Sequence, residues 1–131
     1  MATAATPLDP DDAVTLDDPH TVKVFRNSNS TASGFFRKIS NIPAISTCLR
    51  HIGLYAYRTD FLLRLAELPP STDSLREDLE QLTPLALGAT IRVAIVPASS
   101  AGNGIDTPDD YRNFVQRIAS GAPHPQPRGK G

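Results

Sequence analysis

Residues 49–62 read LRHIGLYAYRTDFL and contain the change of pattern that decides the fold. Across residues 50–57 apolar side chains alternate with more polar ones, which is the period of a β-strand with two different faces. Apolar residues then recur at helical spacing from Phe61 onward, with Thr59 or Asp60 available as the cap, until a pair of prolines stops the helix. The stretch therefore predicts a strand followed by a helix, the building unit of an α/β domain.

A second helix is predicted in residues 68–82, LPPSTDSLREDLEQL. It should begin at about Ser74 and place Leu75, Leu79 and Leu82 on one face, because these leucines recur at the spacing of helical turns. Amphipathic helices of this kind cover the apolar face of a sheet.

Pro84 limits the length of that helix. Proline in a helix interior removes a hydrogen bond and clashes with the preceding turn at a cost of about 3 kcal/mol or more, so the helix is expected to end near Thr83 or to kink there. Gly88 then ends the helical region, and residues 90–96, TIRVAIV, form a β-branched run of strand length. This run predicts a core strand.

A last helix is predicted after residues 104–110, GIDTPDD. Thr107 is suited to cap it, Pro108 to be its first residue, and the two following aspartates to complement the helix dipole. The helix should end at Gly121. Its expected inward-facing residues are Tyr111, Phe114, Val115 and Ile118.

The flanking regions complete the predicted organisation. Residues 1–20 combine several aspartates and prolines with few large apolar side chains, a composition that predicts a flexible arm. Residues 21–39 predict a β-hairpin with its turn at the Asn- and Ser-rich centre. The domain is expected to span residues 21–120, and the Pro- and Gly-rich residues 121–131 are expected to be a disordered tail. The fold class is α/β.

Composition excludes several classes of function. The 131 residues include 13 Lys and Arg against 14 Asp and Glu, and no basic run interleaves with aromatic residues, which argues against nucleic-acid binding. No apolar run approaches the roughly 20 residues that span a membrane. The single cysteine, Cys48, makes no intramolecular disulfide and no zinc-ligand pattern. We expect a cytoplasmic protein.

His51 and Tyr55 are the first candidate binding residues. Their even spacing on the predicted strand points both side chains to the same face, so two polar groups meet on one patch. From composition alone they would be a hydrogen-bonded core histidine and an interface tyrosine. Glu80, taken by itself, would be a solvated helix residue.

Taken together, these segments resemble the C-terminal half of the 3-deoxy-manno-octulosonate (KDO) cytidylyltransferases, or CMP-KDO synthetases. The segment HIGLYAYR at 51–58 is similar to the HIGIYGYR of that family, EDLEQL at 77–82 to its second recognition element, and GIDTPDD to its GVDTPEDL. DPHTVKVF at 18–25 and FFRKISNIP at 35–43 resemble segments that build the dimer interface of the family. The resemblance implies a partial nucleotide-diphospho-sugar-transferase-like (Rossmann-like) domain that lacks its N-terminal nucleotide-binding half.

The resemblance also implies roles for particular residues. His51 and Tyr55 would contact the sugar acid, and Glu80 and Gln81 would hydrogen-bond its hydroxyls, which suits a carboxylate that accepts and an amide that both accepts and donates. Arg37 or Lys38 would approach the sugar carboxylate. The chain departs from the family after EQL, where the family has an arginine and this chain has a threonine.

Asp106 is the metal candidate. The aspartate of the similar GVDTPEDL segment is one of two that hold Mg²⁺ at the triphosphate in the family, and hard oxygen ligands are what Mg²⁺ requires. Without the resemblance, Asp106 would only precede a helix cap. The basic glycine-containing loop that holds the CTP phosphates in the family and its first metal-binding aspartate are not found in the sequence, and no catalytic residue is assigned.

The implied function is therefore that of a truncated synthetase. The family joins CTP and KDO to give CMP-KDO and pyrophosphate for lipopolysaccharide-type glycans, and this chain would be a half that binds the sugar acid and dimerises, with CTP bound only if the missing half is supplied. Whether it is an enzyme by itself stays open. The alternative is a non-catalytic regulatory module that pairs with an intact synthetase. The residues do not separate KDO from its 8-amino relative.

Overall fold

The computed structural model describes residues 1–8, 13–39, 47–97, 105 and 107–121, which divide into two compact units, Met1–Val96 and Pro97–Gly131. The larger unit contains all five strands and the first four helices. In chain order the elements are β1 (Ala2–Pro7), α1 (Ala13–Asp17), β2 (Lys23–Arg26), β3 (Ala32–Phe36), β4 (Thr47–Ala56), α2 (Thr59–Ala66), α3 (Thr72–Glu77), α4 (Leu82–Ala86), β5 (Arg92–Ile95) and α5 (Pro108–Ala119). The predicted α/β class is confirmed.

The five strands form one mixed sheet in the order β3-β2-β4-β1-β5. The strand β4 lies at its centre and pairs antiparallel with β2 on one side and β1 on the other, while β1 runs parallel to β5. The two outer strands, β3 and β5, also approach each other. The N–H of Val93 donates to the carbonyl of Ser30 at 2.9 Å, and the N–H of Ala32 donates to the carbonyl of Ile91 at 2.9 Å. These bonds satisfy backbone groups that would otherwise stay unpaired at the two sheet edges.

The hydrophobic core lies on one face of this sheet, where the segment that joins α3 to α4 covers the strands. Leu79, from that segment, is buried against the sheet residues, and Leu82 and Leu85 pack at the margin. Small and β-branched residues dominate, as expected where a sheet and short helices meet closely. The buried core residues are Ala5, Val24, Ala32, Phe35, Leu49, Leu79, Ile91 and Val93.

The N-terminal segment is the largest departure from the sequence prediction. Residues 1–20 were expected to form a flexible arm, whereas Ala2–Pro7 form β1 and lie between β4 and β5. Ala4 and Ala5 are buried there. Composition is misleading in this case because β1 is held by backbone hydrogen bonds on both sides, and its short side chains fit where larger ones would not. Residues 9–12 lie outside the described part of the chain.

The predicted second helix is divided in two. The helix α3 ends at Glu77, and Asp78 adopts a left-handed conformation with φ of 53°. A new helix then begins at Leu82, which puts Pro84 in its first turn, where a missing N–H costs nothing. The break removes Leu75 from the shared face, so that this residue is 70% exposed while Leu79 is buried.

Four elements lie within a few residues of where the sequence predicts them: the hairpin, the strand β4, the helix α2 and the strand β5.

In the smaller unit, Thr107 caps α5 in a capping box with Asp110, and Pro108 is its first residue, as predicted. Its four expected inward-facing residues are all exposed. The described residues of that unit contain no second element against which α5 could pack. The predicted tail, residues 122–131, lies outside the described part.

Lys23 holds the hairpin end of the sheet together. Its side chain is fully buried, and its ammonium group donates to the backbone carbonyls of Asp18, Thr21 and Arg37. Burial lowers the pKa of Lys23, and the charge of Asp18 opposes that effect. One cation therefore satisfies three carbonyl oxygens from three points of the chain, which is a structural role.

Replacing Lys23 by Met should lower the free energy of unfolding by about 2–4 kcal/mol, because three carbonyl oxygens lose their shared donor. Urea denaturation measures the effect. The matched control is Lys38→Met, which removes an exposed lysine that pairs with Asp17 at 3.5 Å and should cost no more than about 0.5 kcal/mol. Equal losses in the two variants would contradict the role given to Lys23.

Candidate functional site

The candidate site begins with an irregularity in the pairing of β4 with β1. Thr3 pairs with Tyr55, but the next residue of β1, Ala4, pairs with Ile52. Two residues of β4, at positions 53 and 54, are therefore extra relative to β1. Such a bulge re-aims the side chains on either side of it.

The bulge brings His51 and Tyr55 into contact. Residues four apart in a regular strand lie about 13 Å apart along the chain. Here their partners on β1 are only two residues apart, and the two rings lie 5.5 Å apart between centroids. The sequence predicted a shared face, and the structure adds that the two side chains touch.

The hydroxyl of Thr3 lies at the centre of this bulge. Its Oγ1 is 2.8 Å from Nε2 of His51, 2.9 Å from the carbonyl oxygen of Leu54 and 3.3 Å from that of Ile52. Thr3 itself is buried. One side chain on β1 therefore contacts the carbonyl groups of Ile52 and Leu54 at the bulge of β4, and the imidazole of His51.

His51 is neutral in this environment. Burial lowers the pKa of His51 from 6.5 to about 4. The edge-to-face contact with Phe35, at 5.1 Å between ring centroids, supplies an apolar wall on one side of the imidazole. A neutral imidazole has one donor nitrogen and one acceptor nitrogen, whereas the charged form has two donors.

Glu80 reaches this patch from the segment between α3 and α4. Burial raises the pKa of Tyr55, and the negative charge of Glu80 and the hydrogen bond between the two side chains raise it further. Burial and then the same carboxylate also raise the pKa of Tyr57. Two elements that are distant in sequence therefore meet, and we refer to His51, Tyr55 and Glu80 as the β4 cluster.

Gln81, the next residue, is buried in the interior with an exposed fraction of 2%. Its carbonyl oxygen Oε1 has no hydrogen-bond partner among the described residues. A buried unpaired amide oxygen costs about 1–3 kcal/mol, and such atoms are rare enough in proteins to require an explanation. Gln81 adjoins the β4 cluster in sequence, but its side chain lies in the protein interior.

Arg37 and Lys38 have structural contacts. The guanidinium of Arg37 donates to the carbonyl oxygens of Glu77 at 2.7 Å, Asp78 at 2.8 Å and Pro19 at 3.0 Å. It therefore holds the end of α3, from which the chain continues to Glu80. Lys38 is exposed and pairs with an aspartate of α1, so neither cation is placed beside the β4 cluster by a contact within the described residues.

The proposed metal ligand, Asp106, lies outside the described residues. Within the described ranges, no group of three or more His, Cys, Asp or Glu side chains could hold a metal ion. The neighbouring residues Thr107 and Asp110 are used in the capping box of α5. No helix in the same ranges is both long and apolar enough to cross a membrane.

Sequence reasoning missed Thr3, which organises the site. The short segment ATAAT contains no motif, and its role depends on the pairing register of β1 with β4. The available signal was Gly53 in the middle of a strand pattern, because a glycine at such a position is typical of a bulge.

Comparisons with known proteins agree on one kind of relative. No family model matches the chain. Among curated proteins, the 3-deoxy-manno-octulosonate cytidylyltransferase of Xanthomonas oryzae pv. oryzae is 40% identical over 132 residues, which cover 92% of this chain and 50% of that protein. That of Stenotrophomonas maltophilia strain R551-3 is 42% identical over 122 residues, which cover 84% of this chain and 46% of that protein.

A solved structure of CMP:2-keto-3-deoxy-manno-octonic acid synthetase complexed with CTP matches with a TM-score of 0.77 and 33% identity, over 92% of this chain and 49% of that one. The resemblance to the C-terminal half of these synthetases is confirmed. The chain spans about half the length of the curated relatives that it matches.

The half-buried histidine His51 predicts a pH dependence of stability. Because the pKa of His51 is lowered on folding from 6.5 to about 4, the unfolded chain binds more protons in this window, and the free energy of unfolding should fall as the pH falls from 6.5 to 4. We expect a loss on the order of 2 kcal/mol.

Urea denaturation at a series of pH values measures this loss. It should be much smaller in His51→Gln, which cannot bind the proton, and unchanged in His20→Gln, where an exposed histidine is replaced. A wild-type curve that is flat between pH 6.5 and 4 would contradict the assignment.

Proposed function

We propose that the chain is the sugar-acid-binding half of a KDO cytidylyltransferase-type enzyme. The complete reaction would join CTP and KDO to give CMP-KDO and pyrophosphate for lipopolysaccharide-type glycans. The observation that carries the proposal is the β4 cluster, in which His51, Tyr55 and Glu80 converge within a chain that aligns at 40% identity with half of such enzymes.

The chemistry of the cluster supports a polyol ligand. A neutral imidazole, a phenol and a carboxylate offer directional hydrogen bonds over a short stretch of surface, and their geometry is fixed by β4 and by the segment after α3. Sites on rigid strands hold such groups more accurately than loops do. Gln81, beside Glu80 in sequence, has a buried and unpaired amide oxygen, and the proposal assigns this amide to the same ligand.

Binding of the nucleotide is not assigned to the β4 cluster. The residues assigned here serve the sugar acid, and CTP would bind to a second half that completes the domain, in the same polypeptide or in another. When bound, Mg²⁺ would neutralise the charge of the triphosphate, and Asp106 would be one of its ligands.

A second candidate is a regulatory module that pairs with an intact synthetase through a family-type dimer surface. The helix α2, which lies outside the two segments that resemble that surface, offers a further exposed face for pairing, because this amphipathic helix has no buried residue and Leu63 is 64% exposed. Apolar residues left uncovered on one helix are typical of a protein interface. A homodimer of this chain would cover the same surface.

Binding of KDO tests the first candidate directly. Isothermal titration calorimetry with KDO alone should show binding to the wild-type chain, and Glu80→Gln should weaken it about tenfold, because an amide is a poorer acceptor for hydroxyl groups than a carboxylate. The matched control is Glu67→Gln, at the exposed end of α2, which should leave the affinity unchanged. No binding to a folded wild-type chain would contradict the proposal.

Pyrophosphate release tests catalysis. With CTP, KDO and Mg²⁺, the chain alone should give no turnover, and adding a segment equivalent to the nucleotide half of a relative should restore it. Asp106→Asn should then abolish the restored activity, since a metal ligand would be lost. A chain that neither binds KDO nor gains activity, yet is retained by an immobilised full-length synthetase, would favour the second candidate.

A further inference from the structure

The three contacts of the Thr3 hydroxyl determine where its hydrogen points. A hydroxyl has one hydrogen and two lone pairs. If Thr3 donated to His51, its oxygen would face the carbonyl oxygen of Leu54 at 2.9 Å with no hydrogen between them. If it donates to that carbonyl, Nε2 of His51 donates to Thr3, and both contacts are satisfied. The network therefore assigns the hydrogen of the neutral imidazole to Nε2.

The other imidazole nitrogen is then an acceptor. Within the described part of the chain, Nδ1 of His51 has no hydrogen-bond partner, and the flanking contacts of the ring are to the aromatic rings of Phe35 and Tyr55. Rotation of the ring by half a turn would put a carbon in the place of each nitrogen, and it would break the bond to the buried Thr3. Thr3 thus fixes both the tautomer and the orientation of the imidazole.

The other two members of the β4 cluster, Tyr55 and Glu80, also offer hydrogen-bond acceptors. The hydroxyl of Tyr55 donates its hydrogen to Glu80, which leaves lone pairs on the phenol oxygen. The carboxylate of Glu80 only accepts, and its side chain is exposed. The three members of the β4 cluster therefore offer a phenol oxygen, a carboxylate and an imidazole nitrogen as acceptors, and no free donor of their own.

We propose that Thr3 is a positioning residue that makes the β4 cluster a site of hydrogen-bond acceptors only, which binds the hydroxyl or ammonium groups of a ligand and rejects its carboxylate or phosphate. The identity of the ligand rests on the proposed function, whereas the tautomer does not. For a sugar acid, the hydroxyl-bearing part faces His51, and the carboxylate lies away from the cluster. An amino sugar is accepted as well as its hydroxyl counterpart, because an ammonium group also donates.

Nitrogen-detected proton correlation spectra of the histidine side chains test the positioning role without a ligand. The chain has three histidines, and the His51→Gln spectrum identifies the signal of His51. In the wild type at pH 7 the signal should show the hydrogen on Nε2. Thr3→Val, which keeps the shape and removes the hydroxyl, should shift the population towards the other tautomer, and Thr3→Ser should restore the wild-type signal.

A wild-type signal with the hydrogen on Nδ1 would overturn the inference even if Thr3→Val does not fold. So would a folded Thr3→Val variant with an unchanged tautomer. Ordinary loss of stability in Thr3→Val leaves the tautomer of the folded fraction unaffected, so the spectrum separates positioning from a merely structural role.

Titration with ligands tests the consequence for specificity. KDO should bind Thr3→Val about tenfold more weakly than the wild type and bind Thr3→Ser within about threefold. The 8-amino relative of KDO should bind the wild type at least as well as KDO does, and inorganic pyrophosphate should not shift the His51 signal. A shift of that signal by pyrophosphate would contradict the acceptor-only site. Correct tautomers without binding of either sugar would instead refute the proposed function and leave the positioning role intact.

Discussion

The pairing of β4 with β1 across the two-residue bulge is the constraint on which the rest of the site depends. It places the central strand of the sheet in register on both sides of the irregularity, and it brings His51 and Tyr55 together within 5.5 Å. The hydroxyl of Thr3 stabilises this arrangement because it satisfies a carbonyl of the extra segment, which would otherwise be left without a ladder partner. Stability and site geometry therefore depend on one buried side chain.

Two cations fix the elements that surround the sheet. Lys23 and Arg37 both donate to backbone carbonyls, Lys23 at the base of the hairpin and Arg37 at the end of α3. Backbone carbonyls are neutral partners, and Arg37 also forms an ion pair with the carboxylate of Asp78 at 3.5 Å. Glu80, a few residues after the Arg37 contacts, has its carboxylate at Tyr55.

Periodicity predicted those elements whose own side-chain pattern indicates a strand or a helix. The strand around His51, the helix after it and the capped helix at Thr107 all have patterns that no other structure satisfies equally well. The strand Ala2–Pro7 was missed because its partners, and not its own side chains, determine its conformation. The division between α3 and α4 was missed for a related reason, since the leucine spacing is compatible with one helix, and only the left-handed Asp78 separates the two. The resemblance identified the members of the β4 cluster. The inference that the cluster offers acceptors needs the pairing register of β1 with β4, which places Thr3 beside His51.

The charge of the β4 cluster suits the hydroxyl groups of a sugar better than a triphosphate. At neutral pH the lowered pKa of His51 leaves it uncharged, so no cation in the cluster offsets the carboxylate of Glu80. A triphosphate needs the opposite surroundings, with backbone N–H groups and cations converging on its oxygens. A single patch cannot favour both, because each acceptor that binds a hydroxyl repels a phosphate oxygen. An acceptor patch for sugar hydroxyls and a donor-rich patch for a triphosphate therefore have to be separate.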